Sequence, residues 1–363
     1  MPAPVSGSVS GLSSGATPRS ESGSVTGSVS VSAPESVTRS VLGKEPGSGS
    51  ASVSERTSGS APVSEAAEHA HRFGSVALIG RPNAGKSTLF NYLVGEKVAI
   101  VTDKPQTTRT GIMGIITGVD WQMVIYDTPG VHIPKDRLGK AMMSSALDAL
   151  ERADVIYYIT DATAGFGSGE ARVLEILSGV TIPVFLLLNK IDLVEKAGLL
   201  PLIDDYSQRR SFAHIFPISA KTGDNIPELL TRTISFFSEG PRYYDADEMT
   251  DQPERIIVAE FIREKAILAT HEEVPYALTV YVEKMELRRA DLMDIFAVIV
   301  VERQGQKGIL IGKQGATIKR IGELARKDIE ELLGIKVNLK LFAQVRDKWR
   351  NNVNNLRDYG LLT

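Results

Sequence analysis

The chain has 363 residues, enough for two or three domains that each bury a core. Its formal net charge of −3 argues against a protein that coats nucleic acid along its whole length, although it leaves local basic patches open. The absence of cysteine excludes a disulfide framework, a Cys-ligated zinc site and a thiol nucleophile. No apolar run reaches the ~18 residues of a membrane-spanning helix, and the first residues lack a signal-peptide pattern. We therefore expect a cytoplasmic protein.

Residues 1–72 are predicted to form a disordered tail. Ser accounts for 20 of the first 65 residues, and Gly and Val fill most of the rest. Such a segment buries too little apolar surface to offset its ordering entropy. Two alternatives are a strand at GSVSVS (27–32) and a transit peptide. The first lacks a partner, and the second would be poor in acidic residues, whereas this tail has about as many Glu as Lys and Arg.

Residues 73–240 alternate short apolar runs with helical periodicity. Strands are predicted at 75–79, 112–117, 123–126, 155–160, 184–188 and 215–218, and helices at 87–94, 140–150, 170–177 and 226–237. This alternation predicts an α/β domain with a mainly parallel sheet and helices on both faces. A polar, Pro-bearing linker is predicted at 241–255.

Residues 256–363 predict an α+β domain. It begins with a helix at 256–270, followed by strands at 277–282 and 297–301. A helix at 318–333 and a strand at 336–342 complete it.

The stretch GRPNAGKS (80–87) fits the phosphate-binding pattern G-x-x-x-x-G-K-S, with a strand before it and a helix after it. Its backbone N–H groups and helix N-terminus would bind phosphate oxygens, Lys86 would reach the β- and γ-phosphates, and Ser87 would ligate Mg²⁺. A chance glycine-rich turn is the alternative, which this context disfavours. The nucleotide-binding residues predicted from this stretch are Gly80, Asn83, Ala84, Gly85, Lys86, Ser87 and Thr88.

Three further motifs follow in order, each after a predicted strand. They contribute Asp127, Thr128, Pro129 and Gly130 (DTPG), Asn189, Lys190 and Asp192 (NKID), and Ser219, Ala220 and Lys221 (SAK). In the first, Asp127 would bind Mg²⁺ through water and the Gly130 N–H would sense the γ-phosphate. In the second, Asp192 would accept both N–H donors of the guanine edge, which adenine cannot offer. The set predicts a guanine-nucleotide site rather than an ATPase.

The runs GRPNAGKSTLFNYLVG, KPQTTRTGI, DTPG, NKID and VERQGQKGILIGKQGATIKRIGELARKDIEELL resemble the Era family of bacterial GTPases over residues 74–363. The resemblance implies an α/β P-loop GTPase domain followed by a type II KH domain. It also implies binding to the 3′ end of small-subunit ribosomal RNA and a role in maturing the pre-30S subunit. Peripheral contact with the inner face of the cell membrane is a further implication, and a monomer is expected.

The residues themselves support the KH prediction. Gly312, Lys313, Gln314 and Gly315 form a G-x-x-G turn between two helical stretches, where a nucleic-acid backbone can approach closely. Residues 303–350 contain 12 Lys or Arg against 5 Asp or Glu, a net +7. The predicted RNA-binding residues are this turn together with Lys319 and Arg320. A helix-capping turn on a solvated basic face is the alternative.

Hydrolysis must proceed without the glutamine that orients water in Ras-type GTPases, because Val131 follows DTPG. Either the protein is a binding switch that scarcely hydrolyses, or another group supplies the missing electrostatics. In related potassium-stimulated GTPases an Asn at the position of Asn83 helps to coordinate K⁺, which would stabilise transition-state charge. The alternative is that Asn83 only stabilises its loop. Lys86, Asn83 and Thr108 are the predicted catalytic residues.

In QTTR (106–109) one threonine should close on Mg²⁺ when GTP binds. Thr108 is favoured by motif alignment, with Thr107 a close second, so the predicted metal ligands are Ser87, Thr108 and Asp127. Two rival functions remain: an RNA-binding chaperone with a structural nucleotide, and a GTPase of transfer-RNA modification. The second architecture has no KH domain.

Overall fold

The structure, a computed structural model, describes residues 71–362. The predicted tail therefore lies outside the described residues up to residue 70. Its last two residues belong to the folded domain, because Arg72 opens the first strand and His71 is hydrogen-bonded to Gly240. No helix in the described part is long and apolar enough to cross a membrane.

The first half of the described chain is an α/β domain. Its strands are β1 (Arg72–Ile79), β2 (Ile112–Thr117), β3 (Trp121–Asp127), β4 (Val155–Asp161), β5 (Val184–Asn189), β6 (His214–Pro217) and β7 (Ser238–Glu239). Its helices are α1 (Lys86–Val94), α2 (Arg137–Glu151), α3 (Ser168–Leu177), α4 (Leu199–Arg209) and α5 (Ile226–Ile234). Within residues 71–362 these strands form one sheet of order β2-β3-β1-β4-β5-β6, with β7 beside β1. Only β2 and β7 run antiparallel to their neighbours.

The central strands are apolar on both faces because helices cover both faces of the sheet. In β1, Val76 and Leu78 enter one core cluster, whereas Ala77 and Ile79 enter the other. Every residue of β5 is buried, which is the pattern of a strand inside a parallel sheet. The predicted α/β class is confirmed.

The two ends of this domain meet at β1. Strand β7 pairs antiparallel with the start of β1, so that Phe73 lies opposite Ser238. The Gly240 N–H donates to the His71 carbonyl at 2.9 Å, and the His71 ring contacts the Gly240 carbonyl at 3.0 Å. The chain therefore enters and leaves the domain at one place.

The predicted linker is irregular but held against the α/β domain. The Gln122 side chain accepts from the backbone N–H groups of Tyr243 and Tyr244 at 2.9 and 3.0 Å. The Ile115 N–H donates to the Met249 carbonyl at 2.9 Å, so the linker covers β2 at the edge of the sheet.

The second half is the predicted α+β domain. It comprises α6 (Glu254–Leu268), α7 (Val274–Ala277), β8 (Thr279–Arg289), β9 (Leu292–Val301), α8 (Gln304–Ile311), α9 (Ala316–Leu333), β10 (Lys336–Val345) and α10 (Val353–Asp358). In the described part its strands have the order β10-β9-β8, with β8 and β9 antiparallel and β9 and β10 parallel. Helices α6 and α9 pack on one face, around Ile262, Ala325 and Ile299.

Several elements differ from the prediction. Helix α6 begins at Glu254, two residues early, and Ala277 ends the short helix α7 instead of opening β8. Strands β8 and β9 are longer because they form a hairpin beyond their buried ends. Helix α4 was not predicted, since Pro201 interrupts its apolar periodicity.

Candidate nucleotide and RNA sites

The phosphate-binding loop lies between β1 and α1 and depends on glycine. A Cβ on Gly80 would lie 2.2 Å from the Ile159 carbonyl oxygen, and Gly85 has a φ of +101°. The Lys86 ammonium donates to the carbonyls of Gly80 at 3.2 Å and Arg81 at 2.9 Å. Burial lowers the pKa of Lys86 to about 8, and the charge of Asp127 partly opposes that shift. A phosphate at this loop would restore the favourable environment of the ammonium.

The three predicted metal ligands lie within hydrogen-bond distance of one another. The Ser87 hydroxyl is 2.7 Å from Asp127 Oδ2 and 2.9 Å from the Thr108 hydroxyl, which is 3.2 Å from the same carboxylate oxygen. Asp127 is fully buried, and its Oδ1 has no hydrogen-bond partner. Burial raises the pKa of Asp127, whereas Lys86 and the two hydroxyls lower it. These hard oxygen donors, one of them with an unused lone pair, fit Mg²⁺.

The structure distinguishes the two threonines of QTTR. The Thr107 hydroxyl is 2.7 Å from both the Lys104 carbonyl and the Thr102 hydroxyl, within its own loop. The Thr108 hydroxyl lies beside Ser87 and Asp127, the two other predicted metal ligands. The geometry therefore favours Thr108 as the ligand.

The DTPG turn packs directly on the phosphate-binding loop. A Cβ on Gly130 would lie 2.6 Å from the backbone N of Pro82. The Val131 N–H donates to the Gly80 carbonyl at 3.0 Å. The Thr128 hydroxyl donates to the Leu78 carbonyl at 2.5 Å, and the buried Val131 side chain enters the core. Because Val131 faces inward and is apolar, it cannot orient a water molecule.

The NKID and SAK motifs form one connected base site. The Asn189 amide donates to the Ala84 carbonyl at 2.8 Å and accepts from the Ala220 N–H at 2.9 Å, so it ties the phosphate-binding loop to SAK. The Ser219 hydroxyl donates to Asp192 Oδ1 at 2.7 Å. The Lys190 ammonium pairs with Asp161 at 2.6 Å. Asp161, at the end of β4, was not predicted, since it belongs to no motif.

Asn83 lies beside the loop that joins α1 to β2, residues 95–111, called the α1–β2 loop below. Its side-chain amide donates to the Asp103 carbonyl at 2.7 Å, and its φ is +63°. A cavity of about 270 Å³ opens here and is lined by Asn83, Lys86, Thr88, Thr108 and Lys190, among others. Residues of the phosphate-binding loop, two of the predicted metal ligands and Lys190 of NKID thus line one cleft.

The GKQG turn connects α8 to α9, and three of its four residues have a positive φ. Gly312, Gln314 and Gly315 have φ values of +74°, +50° and +80°. Lys313 and Gln314 are exposed, as are Lys319 and Arg320 in the first turns of α9. The six residues predicted to bind RNA therefore form a continuous region, most of it solvent-accessible.

The α1–β2 loop also contacts the second domain, which the sequence did not indicate. Lys97 pairs with Glu264 of α6 at 2.6 Å and Asp328 of α9 at 2.7 Å, and Lys265 pairs with the same two carboxylates. We call these four residues the ion cluster. The Val101 N–H donates to Glu264 at 3.1 Å. Because ion-pair partners distant in sequence leave no local pattern, only the structure shows this contact.

Comparisons with known proteins identify the same two domains. Residues 75–190 match the family model described as "50S ribosome-binding GTPase", and residues 273–350 match that of the KH domain. GTPase Era from Leuconostoc citreum is 47% identical over 296 residues, which cover 81% of this chain and 98% of the relative. GTPase Era from Lacticaseibacillus paracasei is 47% identical over 293 residues, with the same coverage.

Two solved structures match across both domains. One is Era in complex with MgGDPNP and nucleotides 1506–1542 of 16S ribosomal RNA, with a TM-score of 0.79, 36% identity, and coverage of 81% of this chain and 100% of that one. The other is a point mutant of Aquifex aeolicus Era bound to GDP and AlF4⁻, with a TM-score of 0.78, 37% identity, and coverage of 80% and 100%. On this identity and coverage, the chain belongs to the Era family of GTPases.

Proposed function

We propose that this protein binds and hydrolyses GTP with Mg²⁺ and binds small-subunit ribosomal RNA through its KH domain during assembly of that subunit. The observation that carries the proposal is the assembly of Ser87, Thr108 and Asp127 around one point beside Lys86. Binding of Mg²⁺ explains why Thr108, from the loop between α1 and β2, lies beside Ser87 and Asp127. A site that binds no nucleotide would leave that position unexplained.

The RNA half of the proposal is supported by the turn and by a relative. The GKQG turn projects exposed Lys313 and Gln314 from a basic segment. The solved Era complex contains a piece of 16S ribosomal RNA. A KH turn of this kind clamps about four nucleotides of a single strand.

In hydrolysis, the residues of this chain position charge rather than react covalently. Lys86 would contact the β- and γ-phosphates, and the Gly130 N–H would donate to the γ-phosphate. Mg²⁺, when bound by Ser87 and Thr108 and through water by Asp127, would neutralise the charge that develops on the phosphate oxygens. Val131 leaves the orientation of the attacking water to groups outside this turn.

We further propose that K⁺ stimulates the reaction at Asn83. The Asn83 side-chain N–H donates to the Asp103 carbonyl at 2.7 Å at the mouth of the cleft. The side-chain carbonyl of Asn83 and the backbone carbonyl of Asp103 each have an oxygen that suits a monovalent cation. Hydrolysis should then be faster in potassium than in sodium, and Asn83→Ala should remove the difference while nucleotide binding persists. Asp103→Ala is the matched control, because it keeps the carbonyl. Equal rates of the unmodified protein in both salts would contradict the potassium proposal.

Multiple-turnover GTP hydrolysis with and without RNA separates this function from that of an RNA chaperone with a structural nucleotide. Thr108→Ala should lower the turnover number about 10²-fold, as loss of one preorganised electrostatic contact does. Thr107→Ala, which removes only two contacts within the loop, should change the turnover number less than threefold. A single turnover per protein molecule, with RNA present or absent, would favour the chaperone.

A further inference from the structure

The metal ligand Thr108 is flanked on both sides by residues that the KH domain holds. The carbonyl of Thr107 accepts a hydrogen bond from the guanidinium of Arg263, on α6. The side chain of Arg109 leaves the α/β domain and is only 5% exposed. Its Nη1 donates to the Leu278 carbonyl at 2.7 Å.

The environment of Arg109 is built from backbone and an aromatic ring. Its Nη2 donates to the Tyr276 carbonyl at 3.4 Å, and its guanidinium lies 5.6 Å from the ring centre of Trp349. Trp349 is fully buried and donates to the Ala277 carbonyl at 2.9 Å. Three successive carbonyls, from Tyr276 to Leu278, thus face one arginine and one indole. A planar guanidinium matches this arrangement of acceptors and ring better than an ammonium does.

The guanidinium of Arg263, which contacts the α1–β2 loop, is held in place by a carboxylate of its own helix. It is 1% exposed, and Glu260 binds it through two contacts, at 2.8 Å to Nε and 2.6 Å to Nη2. Both residues are on α6, one turn apart, so the guanidinium is held by its own helix. The hydrogen bond to Thr107 therefore places the loop relative to the KH domain.

We propose that Arg109 and Arg263 are positioning residues for the magnesium site, so that the docked KH domain sets the location of the Thr108 hydroxyl. The proposal rests on the function proposed above. Residues 101–111 contain no helix or strand, so the loop has little structure of its own to place Thr108. Contacts on both sides of Thr108 would offset the entropy of ordering that loop. Ser87 and Asp127 lie on α1 and β3 and are independent of these contacts.

This difference predicts a selective effect. Thr108 should matter for Mg²⁺ when a γ-phosphate is present, because that is when the α1–β2 loop closes. With GDP, Ser87 and Asp127 remain as the metal-binding groups of the chain. Loss of either arginine should therefore weaken Mg²⁺ binding with a GTP analogue and leave it unchanged with GDP.

The test uses the full chain with Arg109→Met and Arg263→Met, and Arg288→Met as the control. Arg288 is an exposed arginine of β8 that pairs with Asp294 at 3.4 Å, far in sequence from the site. The readout is the dissociation rate of fluorescent GDP and of a fluorescent imidodiphosphate analogue of GTP, each measured against Mg²⁺ concentration. For the GTP analogue, both variants should need about tenfold more Mg²⁺ for half-maximal retention, in line with the loss of a group that orients a metal ligand. The GDP curves and the control should not move.

An equal shift with GDP and with the GTP analogue would overturn the positioning role, because it would show general damage to the fold. Arg109→Lys guards against misfolding of the Met variant, since it keeps the charge and loses the planar fork; it should give a smaller shift in the same direction. Unchanged curves for both Met variants would also overturn the inference. If the unmodified protein retained the GTP analogue equally with and without Mg²⁺, the proposed function itself would fall, which is a distinguishable result.

Discussion

At the scale of single residues, two side chains of the predicted base site are each positioned by a hydrogen bond or an ion pair with another side chain. Ser219 donates to Asp192, and Asp161 pairs with Lys190. The two carboxylates differ in their hydrogen bonds. Ser219 donates to one oxygen of Asp192 and not to the other, whereas Thr163 and Lys190 donate to the two oxygens of Asp161. Of these two carboxylates, Asp192 is therefore the one that we expect to read the base.

The base assignment gives the first prediction. Asp192→Asn replaces two acceptors with one acceptor and one donor, which suits xanthine and leaves guanine donors unpaired. GTP affinity should fall roughly 10⁴-fold, and xanthosine triphosphate should become the preferred nucleotide. Competition binding measures the affinity for GTP and the preference between the two nucleotides. The control is Asp205→Asn, because Asp205 belongs to an exposed ion pair on α4. Retention of full GTP preference would exclude NKID as the base-reading motif.

The GKQG turn gives a second prediction, in which Gln314 is a better probe than either glycine. A side chain on Gly312 would collide with the Thr317 hydroxyl, at 2.2 Å from the added Cβ, so its loss would confound folding with binding. Gln314 is exposed and left-handed, a conformation that Asp and Asn both tolerate. Gln314→Asp should weaken RNA binding about tenfold by repelling phosphate.

Gln314→Asn is the matched neutral control and should bind RNA within about twofold of the unmodified protein. Affinity for a single-stranded RNA would be measured by fluorescence anisotropy at several salt concentrations, because repulsion weakens as salt rises. If the Asp and Asn variants bound equally, the turn would not approach phosphate.

At the scale of helices and loops, the ion cluster joins three separate segments. Lys97 comes from the α1–β2 loop, Glu264 and Lys265 from α6, and Asp328 from α9. Burial alone would raise the pKa of Asp328, but hydrogen bonds and charge from Lys265 and Lys97 hold it below its ordinary value. Both lysines of the ion cluster pair with Glu264, whose side chain is almost fully buried.

The third prediction follows from the direction of that shift. A carboxylate with a lowered pKa stabilises the fold above its ordinary pKa of ~3.9 and loses this contribution as pH falls through the lowered value. Lys97→Met should therefore lower the free energy of unfolding by about 1 kcal/mol at pH 7. The difference from the unmodified protein should shrink below about pH 4. Urea unfolding at pH 7 and pH 3 measures the difference in the free energy of unfolding between Lys97→Met and the unmodified protein.

Lys284→Met, in an exposed pair with Glu286, is the control and should change stability by less than about 0.5 kcal/mol at either pH. An effect of Lys97→Met that was as large at pH 3 as at pH 7 would mean that the contact of the Lys97 ammonium with the Phe261 ring, 5.0 Å from the ring centre, is responsible and not the ion pairs with the carboxylates.

The sequence was enough to predict sites that are encoded in short runs of residues, but not contacts between residues that are distant in the chain. The motifs GRPNAGKS, DTPG and NKID could be located because each is a short run at the end of an apolar strand. The choice between Thr107 and Thr108 could not be settled, because it depends on which hydroxyl the loop turns toward Asp127. Arg109 and Arg263 left no signal, since their partners are backbone carbonyls, which every residue type has.

At the scale of the whole molecule, the KH domain contacts the α/β domain at the α1–β2 loop and at a second place, each close in sequence to residues of the predicted nucleotide site. The second contact is at α2, which follows DTPG: Leu138 and Met142 pack against Val298 and Val300 of β9. Beside them, Arg350 pairs with Asp136 at the start of α2 at 3.5 Å. It also binds both carboxylate oxygens of Glu302, just before α8, at 3.1 and 2.9 Å.

This arrangement gives the fourth prediction. Arg350 links Asp136, at the cap of α2, to Glu302, two residues before α8, and α8 leads into the GKQG turn that is predicted to bind RNA. Arg350 should therefore carry part of the coupling between nucleotide and RNA. In Arg350→Met, the factor by which a GTP analogue changes RNA affinity should move toward one. By linkage, the factor by which RNA changes affinity for that analogue must move to the same value.

Four equilibrium constants per protein test this, namely RNA binding with and without analogue and analogue binding with and without RNA. Arg346→Met, an exposed neighbour on the same segment, is the control. A coupling factor unchanged by Arg350→Met would exclude this ion pair as the link and leave the apolar packing of α2 on β9 and the α1–β2 loop as the contacts that carry the coupling.

The meeting of residues 71 and 240 has a consequence for how such a chain can be rearranged. Because the backbone groups of His71 and Gly240 are hydrogen-bonded to each other, the chain enters and leaves the α/β domain at adjacent points. Domains whose ends lie close together are the ones that tolerate insertion into a foreign host. A recombination event that moved residues 71–240 into a loop of another fold would require that loop to open by only about 5 Å, the spacing of two paired strands.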